Sequence, residues 1–277
     1  MDITVERVHN IDNATFLREY SDRNRPVIIS GAIDHWPARK TWSLDYFAEH
    51  FGEKELSFSN KCWKIAEFVD LLRSGVQPAP YLNQVKLDEQ FTELYADIGD
   101  LAYTRDNLLD NRFLPNSMRI PRGIKALFIG GAGSGFGKLH WDYSCLHVFI
   151  SQVKGDKDFM IFSPEDTPYL YPNPKYEGES LIKDINNFDL NDWPNFKKAT
   201  PIRFTVKEGE TAFIPGCWWH STKMHGPSIS LAESALNRSN WKLRQDWFLE
   251  SYRANNVPLR KRLLLDIYMR GLGLIAA

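Results

Sequence analysis

The middle of the chain is a series of short apolar segments separated by turn residues, a pattern that predicts β-strands. Thr211, Phe213 and Pro215, for example, occupy alternate positions after a Gly-Glu turn. Successive side chains of a strand point to opposite faces, so such segments bury one face. Strands are predicted at 25–33, 55–60, 124–129, 157–162, 202–206, 211–215 and 227–233.

Apolar residues at helical spacing predict helices at both ends of the chain. Ser43 is a typical cap and Gly52 a typical stop for the second of them. Asn13 is a candidate cap for the first, and Pro258 separates two amphipathic helices at the C-terminal end. A two-helix tail either covers its own domain or pairs with another subunit. The predicted helices are 13–22, 44–50, 65–74, 91–100, 241–252 and 259–271.

Composition limits the class of protein. The chain has 277 residues, 43% of them hydrophobic, which suits one barrel domain with additions. Its net charge of −1 creates no global field that would attract nucleic acid or an anionic membrane. No apolar run approaches the ~20 residues of a membrane span, and the N-terminus lacks the apolar core of a signal peptide. We therefore expect a soluble, cytoplasmic protein that does not bind membranes. The charge disfavours nucleic acid as a partner but leaves room for a local basic groove.

The three cysteines, Cys62, Cys145 and Cys217, show no CxxC spacing. This pattern favours a reducing compartment over a disulfide framework. We expect Cys145 and Cys217 to be small, buried, unpaired side chains.

Three residues form a candidate metal site. His140 and Asp142 stand two apart in a segment with strand character, which would place an imidazole and a carboxylate on one face. His220 follows His140 by 80 residues and ends the stretch GETAFIPGCWWH. Two imidazoles and one carboxylate are the ligands of non-haem Fe(II) oxygenases, which keep positions open for a co-substrate and O2. A His-x-Asp pair alone fits a polar surface strand equally well, but with the distal histidine we predict an iron site.

Lys157 begins a predicted strand after a Lys-Gly-Asp turn. If its side chain points inward, it would pair with an acidic co-substrate. If it points outward, it is a solvated edge lysine.

The glycine-rich segment 130–138, GGAGSGFGK, invites comparison with a phosphate-binding loop. It lacks the GxxxxGK[ST] spacing, and a predicted strand rather than a helix follows it. We interpret it as a loop at the mouth of the site.

Beyond the metal residues, four stretches resemble one known family. Together they are similar to the JmjC/cupin-type 2-oxoglutarate oxygenases, especially the subgroup containing the asparaginyl hydroxylase that acts on hypoxia-inducible factor. The resemblance extends over residues 20–240. The stretches are RPVIISGAIDHWPARKTWSLDYFAEHFG at 25–52, PYLNQ at 80–84, FSPEDTPYLYPNP at 162–174 and INNFDLNDWPNF at 185–196.

The resemblance implies a fold, a reaction and several contacts. The fold would be mainly β with flanking helices around a double-stranded β-helix (jelly-roll) core. The enzyme would use Fe(II), 2-oxoglutarate and O2 to hydroxylate an unactivated C–H bond of a peptide, protein side chain or small molecule, releasing succinate and CO2. Lys157 matches the family lysine that pairs with the distal carboxylate of 2-oxoglutarate. Tyr81 matches a tyrosine whose hydroxyl contacts the co-substrate, and the C-terminal helices would form a homodimer.

The chain departs from the family pattern at three positions. Gly137 stands where the hydroxylase has a threonine, and Val148 and Ala232 lie near positions of asparagines. Ser230 precedes Ala232 by two residues and would share its face. His147 lies beside Val148. We predict that Ser230 and His147 contribute polar contacts to the co-substrate site.

The resemblance also divides the chain into regions. We expect an N-terminal helical and strand region at 1–123, the barrel core at 124–238 and the helical tail at 239–277. Two other functions fit the sequence: a catalytically silent cupin-fold binding protein, and a metal-dependent cupin enzyme that does not use 2-oxoglutarate. The complete ligand set together with Lys157 favours the oxygenase.

Overall fold

A computed structural model describes residues 4–105, 107–116, 118–120, 123–175 and 178–276 of the chain. Its strands are β1 Glu6–His9, β2 Val27–Ser30, β3 Glu55–Phe58, β4 Lys61–Lys64, β5 Leu82–Lys86, β6 Ile124–Gly130, β7 His147–Lys154, β8 Lys157–Phe162, β9 Ile202–Val206, β10 Glu210–Ile214, β11 Trp219–Lys223 and β12 Ser228–Ala235. Its helices are α1 Asn13–Phe16, α2 Ala38–Thr41, α3 Leu44–Phe51, α4 Ile65–Arg73, α5 Leu87–Gln90, α6 Arg238–Ala254 and α7 Leu259–Ala276. A π-helical turn, Leu17–Ser21, continues α1, and short 3-10 turns lie at Thr92–Ala96, Ala102–Thr104, Leu108–Asp110, Tyr143–Cys145, Pro164–Tyr169 and Pro194–Lys198.

Two sheets form the centre of the molecule. The larger has the strand order β1-β2-β10-β7-β12-β6-β5, and the smaller has the order β11-β8-β9. Strand β1 runs parallel to β2, while the other pairings within both sheets are antiparallel. Apolar side chains from both sheets meet in one cluster, as they do in a jelly-roll. The predicted fold class is thus confirmed: mainly β with flanking helices around a jelly-roll core.

The large sheet is buried on both faces. Val148 and Ile150 of β7 point into the cluster between the sheets, whereas Phe149 between them packs against the N-terminal helices. Trp42 and Phe47 belong to that second layer and are fully buried. Burying each such side chain stabilises the fold by about 1.5–3 kcal/mol.

Three strands of the N-terminal region, β1, β2 and β5, pair within the large sheet. This region therefore contributes to the sheet itself as well as packing on it. The division of the chain at 123 and 238 stays a prediction.

Most predicted elements exist, and their ends show the local chemistry. Ser43 caps α3 as predicted, since its hydroxyl accepts a hydrogen bond from Tyr46 N, and Gly52 ends that helix. The cap of α1 is Asp12 rather than Asn13, because the Asp12 carboxylate accepts from Thr15 N. The helix predicted at 91–100 is wrong, since only a 3-10 turn forms there.

The C-terminal helices pack on the domain and on each other. Asn237 caps α6, and the Asn240 side chain accepts a hydrogen bond from Asn237 N in return. Trp241, Phe248 and Met269 lie in the apolar cluster under the two helices. None of the helices in the described residues has the length and apolar content that a bilayer span requires.

The cysteines differ from the prediction. Cys145 and Cys217 are joined by a disulfide across 72 residues of sequence, while Cys62 is free and exposed. A pair so far apart leaves no local sequence signal, which is why the prediction of unpaired cysteines is wrong. With two of the three cysteines paired, the cysteines no longer indicate a reducing compartment.

Candidate active site

The structure brings the three predicted ligands together. The ligand atoms of His140, Asp142 and His220 all lie within 4.8 Å of one another. His140 and His220 exchange two backbone hydrogen bonds, His140 N to His220 O at 3.1 Å and His220 N to His140 O at 2.6 Å. This bridge holds the two imidazole rings with their centroids 4.3 Å apart.

The backbone around His140 is not the predicted strand. His140 forms only isolated bridges, Asp142 is extended with φ −68° and ψ 142°, and a 3-10 turn follows before β7 begins at His147. An extended backbone alternates its side chains even without a ladder. The two side chains therefore face the same centre, although the strand prediction was wrong.

Both histidines present the same nitrogen to the centre. Nδ1 of His140 is 3.0 Å from Lys138 O, and Nδ1 of His220 is 3.1 Å from Trp218 O. A carbonyl oxygen only accepts hydrogen bonds, so each Nδ1 carries the proton and donates it. Each Nε2 then keeps its lone pair, the arrangement in which a second hydrogen bond orients a metal-binding histidine.

Burial shifts the pKa values of two of the three residues. Burial lowers the pKa of His140 well below its usual value, and the nearby His220 acts in the same direction. Burial raises the pKa of Asp142, while His220 opposes that rise. His220 Nε2 and Asp142 Oδ2 are 3.6 Å apart. Two imidazoles and one carboxyl group make a donor set for a divalent metal, and it is the set found in non-haem iron sites.

A cavity opens beside the three ligands. Its walls are mostly apolar and carry a few polar groups, as small-molecule sites usually do. The other lining residues are Tyr81, Gln84, Phe128, Phe136, Val148, Ile150, Lys157, Thr222 and Ala232.

Lys157 points inward from the first position of β8. Its side chain is 2% exposed, donates a hydrogen bond to Ser230 Oγ, and has Nζ 5.3 Å from the centre of the Phe128 ring. Among the described residues no carboxylate lies within salt-bridge distance of it. Burial lowers its pKa to about 7. A buried ammonium without a counter-ion is costly, so the geometry fits an anionic ligand that enters the cavity.

Tyr81 and Ser230 also lie where the resemblance implies. Tyr81 lines the cavity just before β5 and hydrogen-bonds to Thr222, while burial raises its pKa. Ser230 is fully buried on β12 and contacts the cavity through Lys157. Their roles toward a co-substrate stay predictions.

His147 does not reach the cavity. Strand alternation turns Val148 inward, so its neighbour His147 points to the other face of β7. There Gly216 N donates to His147 Nδ1 at 2.9 Å, and Nε2 lies 2.8 Å from Ser239 Oγ. Burial lowers the pKa of His147 to about 3. The prediction that His147 contacts the co-substrate is inconsistent with this placement, because adjacent strand residues cannot share a face.

The three residues that depart from the family pattern have different surroundings. Val148 and Ala232 both line the cavity and make that part of its wall apolar. A Cβ on Gly137 would lie 2.9 Å from Asp184 Oδ1, so the loop at 184–186 occupies the space a side chain would need.

Sequence reasoning missed five residues of the cavity, Gln84, Phe128, Phe136, Ile150 and Thr222. Thr222 lies two positions after His220 on β11, and this spacing was the available signal. Phe136 places its ring 4.2 Å from that of His140. Gln84 sits at an irregular pairing of β5 with φ +53°, which no sequence pattern announces.

Comparison with known proteins agrees with this geometry. Human HSPB1-associated protein 1 is 34% identical over 241 residues, which cover 73% of this chain and 46% of that protein. Arginine-specific demethylase JMJ22 of Arabidopsis thaliana is 28% identical, over 85% of this chain and 47% of its own length. The tRNA wybutosine-synthesizing protein 5 of Gallus gallus is 24% identical, over 79% of this chain and 73% of its own length. The chain thus spans less than half of the first two proteins. A family model described as a cupin-like domain matches residues 13–234, and the chain belongs to that family.

Proposed function

We propose that this chain is an Fe(II)- and 2-oxoglutarate-dependent oxygenase that hydroxylates an unactivated C–H bond of a peptide, protein side chain or small molecule. The observation that carries the proposal is the cavity shared by two kinds of groups. A His140–Asp142–His220 cluster suited to iron and a buried Lys157 suited to a carboxylate both line it.

Each residue has a role in this proposal. His140 and His220 would hold Fe(II) through Nε2, and Asp142 through its carboxylate. Iron bound there would supply the activation of O2 that couples decarboxylation of 2-oxoglutarate to oxidation of the substrate. Lys157 would bind and orient the far carboxylate of the co-substrate through a charge-assisted contact. Tyr81 would add a hydroxyl contact on the same side.

The apolar wall supports the same chemistry. Phe128, Val148, Ile150 and Ala232 surround the space between lysine and ligands. Side chains of this kind keep water out and leave a low local dielectric, which strengthens an ion pair. Such a wall would also protect a reactive centre from side reactions.

The lysine is what favours this function over the other two. The buried ammonium group of Lys157 lies in the same cavity as the three ligands, which suits a co-substrate that carries a carboxylate and also binds the metal. A buried charge without a partner is costly, so the position of Lys157 favours an anionic ligand.

The substrate class follows from weaker support. Two relatives are named as demethylases specific for arginine and for lysine, and another is named for a step on tRNA. The net charge of −1 supplies no general attraction for nucleic acid. We therefore propose a peptide or protein side chain, or a small molecule, as the substrate.

The test is turnover of the co-substrate. Purified protein with Fe(II), ascorbate and 2-oxoglutarate is expected to form succinate, and candidate peptides and tRNA are then compared for stimulation. His220→Ala serves as the inactive control. If the wild-type protein neither forms succinate nor binds 2-oxoglutarate in the presence of Mn(II), the oxygenase proposal is wrong.

We also propose that the chain forms a homodimer through α7. The outer face of this helix exposes Leu263, Leu264 and Ile267 at 53%, 67% and 67%. Contiguous exposed apolar side chains of this kind mark interaction surfaces. Sedimentation at micromolar concentration is expected to show a dimer that Leu264→Glu converts to a monomer. A wild-type monomer would contradict the proposal.

A further inference from the structure

The Cys145–Cys217 disulfide joins the two segments that carry Asp142 and His220, two of the proposed metal ligands. Cys145 follows Asp142 by three residues, and Cys217 precedes His220 by three. The two Cα atoms are 4.8 Å apart, so the bond joins the segments that carry these ligands. Although 72 residues separate the cysteines along the chain, the bond adds a covalent link beside the two backbone hydrogen bonds between His140 and His220.

The backbone on both sides of the bond is strained. Ser144 and Cys145 each have φ +53°, and Cys217 has φ +64°. Residues other than glycine rarely adopt this left-handed region, at a cost of about 1–3 kcal/mol each. Such conformations persist only where surrounding contacts fix them.

Helix α6 supplies those contacts. Arg244 Nη1 donates to Ser144 Oγ at 2.6 Å, and Asn240 Nδ2 donates to Cys145 O at 3.1 Å. Both side chains are almost fully buried. Burial lowers the pKa of Arg244 to about 10, and the nearby Tyr143 opposes that shift. Helix α6 thus fixes the 3-10 turn Tyr143–Cys145, which follows Asp142.

The two joined segments also touch closely. A Cβ on Gly216 would lie 2.3 Å from Cys145 O, so the backbones approach within a distance that only glycine allows. Gly216 N donates to His147 Nδ1, which fixes the start of the segment that leads to His220.

We propose that Cys145, Cys217, Asn240 and Arg244 form a cysteine brace that positions Asp142 and His220 for the metal, so that reduction of the disulfide by a dithiol weakens metal binding. The inference rests on the proposed function, since it takes the three ligands as the metal site. It adds a redox dependence and assigns positioning roles to four residues.

The redox step is thiol–disulfide exchange. A dithiolate attacks Sγ of Cys217, the more exposed partner, and the S–S bond breaks with Cys145 leaving as a thiolate that takes up a proton. The second thiol of the reductant then displaces Cys217. Two electrons pass to the protein, which ends with two thiols, and the reductant ends as a cyclic disulfide.

The experiment measures metal affinity in both redox states. Metal-free protein, oxidised or reduced with a dithiol that is then removed, is titrated with Co(II) by visible absorption, with circular dichroism recorded in parallel. We expect the reduced protein to bind Co(II) about 10- to 100-fold more weakly, the loss typical when groups that orient metal ligands are removed. Reoxidation should restore the affinity. Cys145→Ser should match the reduced protein, and Cys62→Ser, at the free exposed cysteine, should match the oxidised one.

The outcomes separate this inference from the proposed function. No Co(II) binding by the oxidised wild-type protein would overturn both. Equal affinity in the two redox states would overturn the cysteine brace alone. A loss of affinity that occurs only together with loss of the folded circular dichroism spectrum would also overturn it, because the disulfide would then act on stability and not on position.

A second variant tests the helix side of the brace. Arg244→Met removes the donor to Ser144 Oγ and should weaken Co(II) binding in the oxidised protein, while Arg244→Lys, which keeps one donor, should recover part of the affinity. Unchanged affinity in Arg244→Met would remove Arg244 from the brace.

Discussion

The two ends of the cavity are built on different kinds of backbone. At the metal end, His140 and Asp142 lie on an irregular segment next to residues with positive φ, and a disulfide joins that segment to the one carrying His220. At the lysine end, Lys157 and Ser230 lie on the paired strands β8 and β12, and β12 shifts its register against β7 once, between Ile229 and Ser230. One end is held by specific cross-links, and the other by the ladder and alternation of a sheet.

The two ends of the cavity have different structural requirements. Three ligand atoms must converge on one point from segments far apart in sequence, and a regular sheet alone does not provide that convergence. A single inward ammonium needs only the correct side of a strand and an apolar surrounding. We therefore expect damage at the metal end to abolish metal binding, and damage at the lysine end to affect the co-substrate while sparing the metal.

The largest effect is expected from removing a ligand. His220→Ala takes away one of two imidazoles and should weaken Mn(II) or Fe(II) binding by more than about 100-fold, because losing groups that merely orient metal ligands already costs about 10- to 100-fold. Succinate formation should be lost with it. Isothermal titration with Mn(II) measures the affinity.

His225→Ala is the matched control. This histidine lies five residues further on, at an exposed turn where it contacts Asp158. The His225→Ala protein should bind Mn(II) with the same affinity as the wild-type protein. Normal Mn(II) affinity in His220→Ala would mean that the cluster is not the metal site.

The next effect is confined to the lysine end. Lys157→Met keeps the volume but removes the charge, and truncating one partner of a buried charged contact costs about 2–5 kcal/mol. The affinity for 2-oxoglutarate should therefore fall by about 30-fold or more. Calorimetry on the Mn(II)-loaded protein without O2 gives the value, and Mn(II) binding itself should not change.

Lys154→Met provides the comparison for that variant. Lys154 ends β7 and pairs with Glu208 near the surface, so its loss should leave the affinity for 2-oxoglutarate unaltered. Equal effects of the two variants would show that the inward position of Lys157 has no role in binding.

The same contrast explains how much the sequence could predict. Strands β8 and β9 match their predicted limits, because their composition and flanking turns are local signals. The three ligands were found from residue type, spacing and resemblance to a family. In each case the information lies within a few residues or in a pattern shared with other proteins.

What could not be predicted depends on tertiary placement. The Cys145–Cys217 disulfide requires knowing that two segments 72 residues apart are adjacent. The placement of His147 follows from which side of β7 faces the cavity, and a shift of one residue reverses it. The irregular backbone at 140–146 is fixed by contacts from α6 and β11, which are distant in sequence.

A smaller effect is expected from pH. Burial lowers the pKa of Lys157 to about 7, so the ammonium form that binds a carboxylate is lost as the pH rises above that value. The affinity for 2-oxoglutarate should fall above pH 7, by at most about tenfold per pH unit. The other titratable groups facing the cavity are His140, Asp142, His220 and Tyr81, and saturating Mn(II) fixes the three ligands.

Stability of the ligand-free protein should change in the opposite direction. Between pH 7 and the ordinary lysine pKa of about 10.4, the unfolded chain binds more protons than the folded one. The contribution of Lys157 to the free energy of unfolding should therefore increase with pH in that window. Lys157→Met should remove both the fall in 2-oxoglutarate affinity above pH 7 and the rise in the free energy of unfolding with pH. Parallel pH profiles for the wild type and this variant would refute the assignment.

The smallest effect is expected from replacing Ser230, at the lysine end of the cavity. Its hydroxyl accepts a hydrogen bond from Lys157, and Ser230→Ala should weaken 2-oxoglutarate binding by about 2- to 10-fold, the worth of one such bond. Ser228→Ala is the matched control, because Ser228 lies on the same strand with equal burial but bonds to Gln152 away from the cavity. Tighter binding in Ser230→Ala would mean that the hydroxyl competes with the co-substrate for the ammonium. Weaker binding would mean that it fixes the ammonium in place, as the hydrogen bond from Lys157 to Ser230 predicts.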